Sequence, residues 1–330
     1  MKRLAVIGGG AWGTALAIVL APRFERVLIW VFEPDLAGRM HDNRENDVYL
    51  PGFRLPENVE PVTTLPEAAN AADLILSVTP SHHTRRIFEQ LRDHVTPSVL
   101  FVSATKGLEG GTLLRMTEVI RQTLGFPARV GALSGPTFAR EVAGGEPAAV
   151  VIASDDNDLA RAVQKAFAGP TFRLYTNPDP VGVEIGASLK NVIAIAAGVS
   201  AGMGLGSNTS AALITRGLAE ITRLAVAAGG QSRTLAGLAG LGDLVLTCSG
   251  EQSRNRTVGF RLGRGETLDQ ILAGAKTVAE GVKTTFAAME LAARLQVELP
   301  ITRQMHAILH GDRSPRDAVR ELMDRSLKEE

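Results

Sequence analysis

Apolar residues in the first half of the chain occur in short continuous runs, separated by segments whose apolar positions have helical spacing. The runs predict strands at residues 3–7, 27–32, 74–78, 100–104 and 148–153, and residues 129–133 are also strand-like. The segments between them predict helices at residues 12–20, 84–91 and 113–124. Continuous apolar strands alternating with helices are typical of a doubly wound parallel sheet with both faces covered.

The second half is rich in Ala, Leu and Gly, and its apolar positions have mostly helical spacing. They predict helices at residues 190–197, 211–228, 268–273, 282–294, 303–310 and 315–324. Residues 175–180 contain two prolines and an asparagine and predict a junction. We therefore expect an α/β domain over residues 1–178, followed by an all-α C-terminal domain over residues 179–330.

Composition narrows the class of protein. A chain of 330 residues with 45% hydrophobic residues can bury two sizeable cores. Lysine plus arginine and aspartate plus glutamate both number 35, so the zero net charge argues against nucleic acid as a partner. The single cysteine, Cys248, permits no intrachain disulfide and fits the cytoplasm. The histidines are scattered and predict no metal site.

Two apolar stretches resemble membrane or export signals. Residues 4–20 are interrupted by Gly8, Gly9, Gly10 and Gly13, which favours a strand, a turn and a helix over a signal peptide. Residues 191–215 carry no charge, but they contain glycines, serines and an asparagine. That composition is too polar for a bilayer span, so we expect a helix buried among other helices.

Residues 8–13 read GGGAWG, which has the form G-x-G-x-x-G between a predicted strand and a predicted helix. In a Rossmann-type domain the first glycine makes the turn, the second lets the backbone approach a pyrophosphate, and the third packs helix on strand. The alternative is a glycine-rich turn without a ligand. We place five of these residues in a dinucleotide site: Gly8, Gly10, Ala11, Trp12 and Gly13.

The second predicted strand ends at Phe32 and Glu33. An acid about 20 residues beyond the glycine motif binds the adenosine ribose in NAD enzymes, and Glu33 lies 20 residues after Gly13. No lysine or arginine occurs between Val27 and Gly38 to hold a 2′-phosphate. NAD is therefore the predicted cofactor and NADP is less favoured, with a solvated loop acid as the alternative for Glu33.

Six later segments carry a resemblance to a known family: SATKG at 103–107, SGPTFA at 134–139, EIGASLKNV at 184–192, LAGLGDL at 238–244, SRNR at 253–256 and VAEG at 278–281. Over nearly its full length the chain resembles the NAD-dependent glycerol-3-phosphate dehydrogenases of bacterial type. The resemblance implies a homodimer that reversibly reduces dihydroxyacetone phosphate to sn-glycerol 3-phosphate, a precursor of glycerophospholipids. Bacterial members often carry arginine near position 32, so Phe32 and Glu33 look more like the NAD-preferring eukaryotic members.

Such a reaction needs a proton donor and acceptor, and Lys190 is our candidate. Partial burial and a second cation, which we take to be Lys106, both lower a lysine pKa toward the working range. The resemblance implies the same role; the alternative is a surface lysine near a helix start. Asp243, in a glycine turn, is expected to bind the lysine ammonium or a substrate hydroxyl, or to cap a helix beginning near Leu244. Thr247, one turn on, shares the site.

The substrate phosphate needs a positively charged binding site, and Arg254 with Asn255 is our candidate. A guanidinium offers phosphate two parallel donors, and Ser253 adds a hydroxyl. A solvated basic loop is the alternative; nucleic acid is disfavoured because Phe260 is the one aromatic nearby. The resemblance also implies that Arg254 contacts the cofactor.

The remaining candidates surround the same site. Lys106 follows a strand at its carboxyl end, where it can meet both substrate and cofactor. The Gly-Pro turn offers Gly135 and Thr137 to an anion, and the small Ala139 leaves room for the cofactor. The resemblance adds Val278 and Glu280 at the cofactor. The full substrate-binding set is Lys106, Gly135, Thr137, Lys190, Asn191, Asp243, Thr247, Ser253, Arg254 and Asn255.

Two other functions are compatible with this plan. A 2- or 3-hydroxyacid dehydrogenase would have the same two domains, but it needs one binding group for the substrate carboxylate instead of a phosphate site. A non-catalytic NAD-sensing regulator would bind the dinucleotide without turnover and without any need for Lys190. His82 was weighed as a catalytic base, but a loop contact to the cofactor is favoured.

Overall fold

The computed structural model describes residues 1–273 and 279–327. The strands are β1 (Arg3–Ile7), β2 (Arg26–Trp30), β3 (Glu45–Asn46), β4 (Leu50–Arg54), β5 (Val59–Val62), β6 (Leu74–Ser77), β7 (Leu100–Ser103), β8 (Arg129–Ser134), β9 (Ala148–Ala153) and β10 (Phe172–Asn177). The helices of the first 178 residues are α1 (Ala11–Leu20), α2 (Pro34–Asn43), α3 (Leu65–Ala69), α4 (Thr84–Leu91), α5 (Met116–Leu124), α6 (Ala139–Ala143) and α7 (Asn157–Phe167).

The later helices are α8 (Pro180–Gly202), α9 (Ser207–Ala227), α10 (Ser232–Leu235), α11 (Asp243–Ser249), α12 (Arg254–Gly263), α13 (Leu268–Ala273), α14 (Glu280–Arg294), α15 (Pro300–His310) and α16 (Pro315–Met323). We call residues 1–178 the sheet half and residues 179–330 the helical half. The described residues of the helical half contain helices and connecting turns but no strand.

Eight strands of the sheet half form one sheet in the order β10-β9-β8-β7-β6-β1-β2-β5. All neighbours are parallel except β8 and β9, which pair antiparallel. Buried side chains cover both faces of the sheet in two separate clusters. The predicted doubly wound, Rossmann-type fold is confirmed. The reversed direction of β9 and β10 was not predicted, because a continuous apolar run looks the same in either direction.

Two predicted boundaries in the sheet half were wrong. Tyr175–Asn177 belongs to β10 instead of a junction; this edge strand alternates buried Phe172 and Leu174 with exposed neighbours, so it lacks the continuous run that marked the other strands. The helix predicted from residue 113 begins at Met116. Leu113 has a φ of 64°, and the backbone N–H of Arg115 is capped by the Glu118 side chain.

Helix α8 is the centre of the helical half. It is long and apolar enough to cross a membrane by length and composition, but 94% of its most apolar window is buried inside the protein, as in the core helix of a folded domain. Asp179 caps its first turn by accepting a hydrogen bond from the Gly182 N–H at 2.8 Å. Lys190 therefore lies in the middle of a long helix, and its predicted place near a helix start was wrong.

Glycines on two facing helices bring α12 onto α8. A Cβ added at Gly259 would lie 1.9 Å from the Ile195 carbonyl oxygen, and one at Gly198 would lie 2.0 Å from the Arg256 carbonyl oxygen. No side chain fits at such a crossing, so the two backbones can touch only where both helices carry glycine. The crossing fixes the first turn of α12 beside the centre of α8.

Candidate functional site

The glycine turn after β1 has the geometry of a phosphate-binding turn. Gly8 has a φ of 127°, and a Cβ at Gly13 would lie 1.9 Å from the Gly8 carbonyl oxygen. A Cβ at Gly10 would meet nothing within 4 Å, so this residue borders open space at the start of α1. Helix α1 begins at Ala11 without a side-chain cap, which leaves its first N–H groups to an anion.

Buried polar atoms without a partner extend this site along the carboxyl edge of the sheet. Among the described residues, five buried side-chain atoms lack a hydrogen-bond partner: Thr84 Oγ1 at the start of α4, and Trp12 Nε1, Ser77 Oγ, Thr79 Oγ1 and Ser134 Oγ. Buried polar groups are normally satisfied, so such atoms at the edge where open sheets bind ligands fit a bound dinucleotide. The last three were not predicted from the sequence, although a serine that ends a strand, as Ser77 and Ser134 do, is a visible signal.

The end of β2 presents the predicted ribose acid to solvent. Glu33 accepts a hydrogen bond from the Tyr49 hydroxyl at 2.8 Å, and the neighbouring Phe32 is 72% exposed. The next two arginines along the chain are already engaged: Arg39 with a neighbouring aspartate, and Arg44 with backbone carbonyls of the turn before β5. No ion pair joins Glu33 to a lysine or arginine among the described residues.

Lys190 is held by two residues of α11. Its Nζ lies 2.5 Å from Asp243 Oδ1 and 2.7 Å from Thr247 Oγ1, and its side chain is 6% exposed. Burial lowers the pKa of Lys190 to about 7; Asp243 opposes this shift and the Lys106 ammonium adds to it. A lysine with this pKa can both give and take a proton near neutrality.

Lys106 reaches the same carboxylate from the sheet half. Its Nζ donates to Asp243 Oδ2 at 2.8 Å and to the Gly135 carbonyl oxygen at 3.3 Å. That oxygen also accepts the Thr137 hydroxyl at 3.2 Å. Asp243 is fully buried between two lysines from different halves of the chain.

Asp243 does not act as a helix cap. Residues 238–242 form one π-helical turn that leads directly into α11, whose first residue is Asp243 itself. Its carboxylate is turned toward the two lysines, so the predicted contact with the Lys190 ammonium is formed and the capping alternative is wrong. The sequence could not separate the two, because both need an aspartate after a glycine turn.

Asn255 joins three helices beside Lys190. Its amide donates to Asn191 Oδ1 at 3.0 Å, and its Oδ1 accepts the Gly281 N–H at 2.9 Å. Ser253 caps α12 by accepting the Arg256 N–H at 3.3 Å. Arg254 is the first residue of α12 and is exposed.

The cofactor candidates of the helical half are only partly described. Val278 lies outside the described residues. Glu280 begins α14 and accepts the Ser81 N–H at 3.3 Å and the Ser81 hydroxyl at 2.9 Å; burial raises its pKa.

Two further candidates lie in the sheet half. Ala139 is the first residue of α6. Burial also lowers the pKa of His82 to about 4, so this residue is a poor proton acceptor at neutral pH.

The site combines a glycine turn suited to a dinucleotide pyrophosphate with a buried lysine, and both lie toward the carboxyl ends of parallel strands. This combination is typical of a pyridine-nucleotide-dependent oxidoreductase. Residues 3–160 match the family model of the NAD-dependent glycerol-3-phosphate dehydrogenase N-terminus, and residues 179–320 match that of the C-terminus. The chain belongs to the NAD-dependent glycerol-3-phosphate dehydrogenase family.

Individual relatives agree with this assignment. The chain is 57% identical to a glycerol-3-phosphate dehydrogenase [NAD(P)+] of Koribacter versatilis, over 98% of both chains. It is 51% identical to one of Syntrophotalea carbinolica, over 99% of both chains. The crystal structure of glycerol-3-phosphate dehydrogenase from Coxiella burnetii is 40% identical, with a TM-score of 0.94, over 98% of this chain and 99% of that one. The predicted family and enzyme class are confirmed, and the hydroxyacid dehydrogenase and regulator alternatives are not supported.

Proposed function

We propose that the protein interconverts dihydroxyacetone phosphate and sn-glycerol 3-phosphate, with a nicotinamide cofactor bound along the carboxyl edge of the sheet, and so serves glycerophospholipid synthesis. The observation that carries this proposal is the buried Lys190, held between Asp243 and Thr247 with its pKa lowered to about 7. When bound, the reduced cofactor supplies a hydride to the carbonyl carbon.

Lys190 gives the proton that the developing alkoxide needs. An ammonium has three N–H donors, and Asp243 and Thr247 accept two of them. The Thr247 hydroxyl itself donates to the Asp243 carbonyl oxygen at 2.6 Å, so its oxygen faces Lys190 as an acceptor. The third N–H is then available for the substrate oxygen, and the neutral amine takes the proton back in the oxidative direction.

Arg254 and its neighbours hold the substrate phosphate. Arg254 is exposed and precedes Asn255, whose amide bonds the side chain of Asn191 next to Lys190. Its guanidinium offers a phosphate two parallel donors, and the Ser253 hydroxyl proton is a further donor. Lys106, Gly135 and Thr137 complete the substrate site from the sheet half. Ala139 of the sheet half and Val278 and Glu280 of the helical half contact the cofactor in this proposal.

The cofactor preference follows from the end of β2. Glu33 accepts hydroxyl groups of an unphosphorylated ribose and repels a 2′-phosphate, so NAD is favoured over NADP. Phe32 forms one wall of an open groove of about 450 Å³, whose other lining includes Trp30, Leu65 and Gln90. A flat apolar wall of this kind suits the adenine ring.

We also propose a cytoplasmic homodimer. Seven large apolar side chains are exposed among the described residues of the helical half: Leu205, Val226, Leu241, Val245, Phe260, Met323 and Leu327. Burying several of them between two copies would remove them from water. The molar mass in solution, measured by light scattering during size-exclusion chromatography, tests the dimer; a single 35.0 kDa species contradicts it.

The direct test of the reaction is loss of reduced-nicotinamide absorbance with dihydroxyacetone phosphate, using NADH and NADPH separately. We expect fast turnover with NADH and slow turnover with NADPH. The control is dihydroxyacetone, which lacks the phosphate; equal use of both ketones contradicts the phosphate site. No turnover in protein that binds NADH contradicts the proposed function.

A further inference from the structure

One loop of the sheet half contacts the helical half at both of its ends. The loop comprises residues 104–115, between β7 and α5. Near its start, Lys106 reaches Asp243; at its end, the Arg115 guanidinium lies 2.7 Å from the Glu184 carboxylate of α8. An isolated β-bridge between Leu108 and Arg115 ties the two ends of the loop together.

Glu184 is a buried carboxylate that no step of the proposed reaction uses. It lies six residues before Lys190 on the same helix and is 5% exposed. Besides Arg115, it accepts the Thr117 N–H at 2.9 Å and the Thr117 hydroxyl at 2.6 Å. A side chain of the helical half therefore caps the first turn of α5, a helix of the sheet half.

The loop is braced, so a contact at one end is transmitted to the other. Glu109, in its middle, accepts two hydrogen bonds from the Arg85 guanidinium of α4, at 2.9 and 2.7 Å, and a third from Thr112. A loop held in this way has few alternative shapes, and a shift at Arg115 displaces Lys106 with it.

We propose that Glu184 is a positioning residue, which fixes the 104–115 loop on α8 and thereby holds the Lys106 ammonium against Asp243 beside Lys190. This inference rests on the proposed function, because it assigns Glu184 a part in setting the proton affinity of Lys190. The charged and titratable groups around Lys190 are Lys106 from the loop, and Asp243 and Cys248 from α11.

Loosening the loop has a predictable sign. Lys106 lowers the pKa of Lys190 and Asp243 raises it. If Lys106 moves away, the repulsion between the two lysine ammonium groups falls and Asp243 interacts with Lys190 alone. The pKa of Lys190 therefore rises. The oxidative reaction needs the neutral amine, and its rate then falls at neutral pH.

The test is the pH dependence of kcat for glycerol 3-phosphate oxidation, in the unmodified protein and in Glu184→Gln. Glutamine keeps one oxygen for the Thr117 N–H but removes the charge that Arg115 meets. We expect a midpoint near 7 in the unmodified protein and an upward shift of about half a pH unit or more in the variant.

Glu220→Gln is the matched control. Glu220 is equally buried, at 2% exposed, and its carboxylate accepts the Ile301 and Thr302 N–H groups at the start of α15. Both partners lie within the helical half, so this variant loses stability against denaturant without a shift of the midpoint. Glu118→Gln, which removes the other carboxylate partner of Arg115 within the sheet half, is also expected to leave the midpoint unchanged.

Arg115→Gln tests the same pair from the sheet half if Glu184→Gln fails to fold, because glutamine removes the guanidinium charge that meets the Glu184 carboxylate. The same upward shift is expected. An unshifted midpoint in either folded variant, or an equal shift in Glu220→Gln, overturns the inference while the proposed function stands. Absence of turnover in the unmodified protein overturns both.

Discussion

The sheet half and the helical half contribute to the site in opposite ways. The sheet half carries the proposed cofactor turn in residues 8–13, a contiguous segment that follows β1 and includes the first residues of α1. The helical half assembles its chemistry from α8, α11, α12 and α14, so that Lys190, Asp243 and Asn255 meet only in the folded chain. A binding turn is encoded locally, whereas an acid–base centre is encoded by packing.

The two halves also differ in how far their candidate site residues are exposed to solvent. Phe32 and Glu33 of the sheet half face solvent, while Lys190 and Asp243 are buried and bonded to each other. A buried charge depends on its partner for stability as well as for proton affinity. Substitutions in the helical half are therefore expected to have the larger effects.

Lys190→Met gives the largest expected change. Removal of the proton donor should lower kcat by about a hundredfold or more, the usual scale of general acid–base catalysis. NADH binding, followed by fluorescence titration, should be retained because the cofactor turn lies in the other half. Near-normal turnover would show that Lys190 is not the proton donor. The helical half would then not supply the acid–base centre that distinguishes it from the sheet half.

Gly259→Ala tests the crossing of α8 and α12. The added Cβ meets the Ile195 carbonyl oxygen, a backbone atom that cannot yield without moving a helix. We expect a loss of about 1–3 kcal/mol or more in the free energy of unfolding, measured by denaturant titration. Gly38→Ala in α2 is the control, because its Cβ meets nothing within 4 Å; an equal loss there would contradict the packing argument.

Arg254→Lys tests the phosphate grip. A lysine keeps the charge but loses the paired donors, so KM for dihydroxyacetone phosphate should rise about tenfold. Turnover of dihydroxyacetone, which has no phosphate, should change little. The same substitution at Arg256, two residues further along α12, is the control, and an equal rise in KM there would point to a general charge effect.

Glu33→Ser is expected to have the smallest effect, because the residue is exposed. Loss of the acid should narrow the preference for NADH over NADPH by about tenfold in kcat/KM, equivalent to about 1.4 kcal/mol. Asp35→Asn, in the first turn of α2, is the control for general charge. An unchanged preference would identify Glu33 as a solvated loop acid.

Most strands and helices could be predicted from the sequence, since burial on both faces gives strands a continuous apolar pattern. Strand β10 was missed because it is an edge strand, and the start of α8 was misplaced by ten residues. The glycines of α8 and α12 were visible in the chain, but nothing in their spacing showed that the two helices face each other.

The sequence by itself determined the fold class and the family and supplied the candidate residues, because strand patterns, helix patterns and motifs are all local features of the chain. Only the tertiary structure decided that Lys106 and Lys190 share one carboxylate of Asp243, and that Glu184 links α8 to α5. These contacts join residues far apart in the chain. Their geometry depends on how the sheet half and the helical half pack against each other, which no local pattern records.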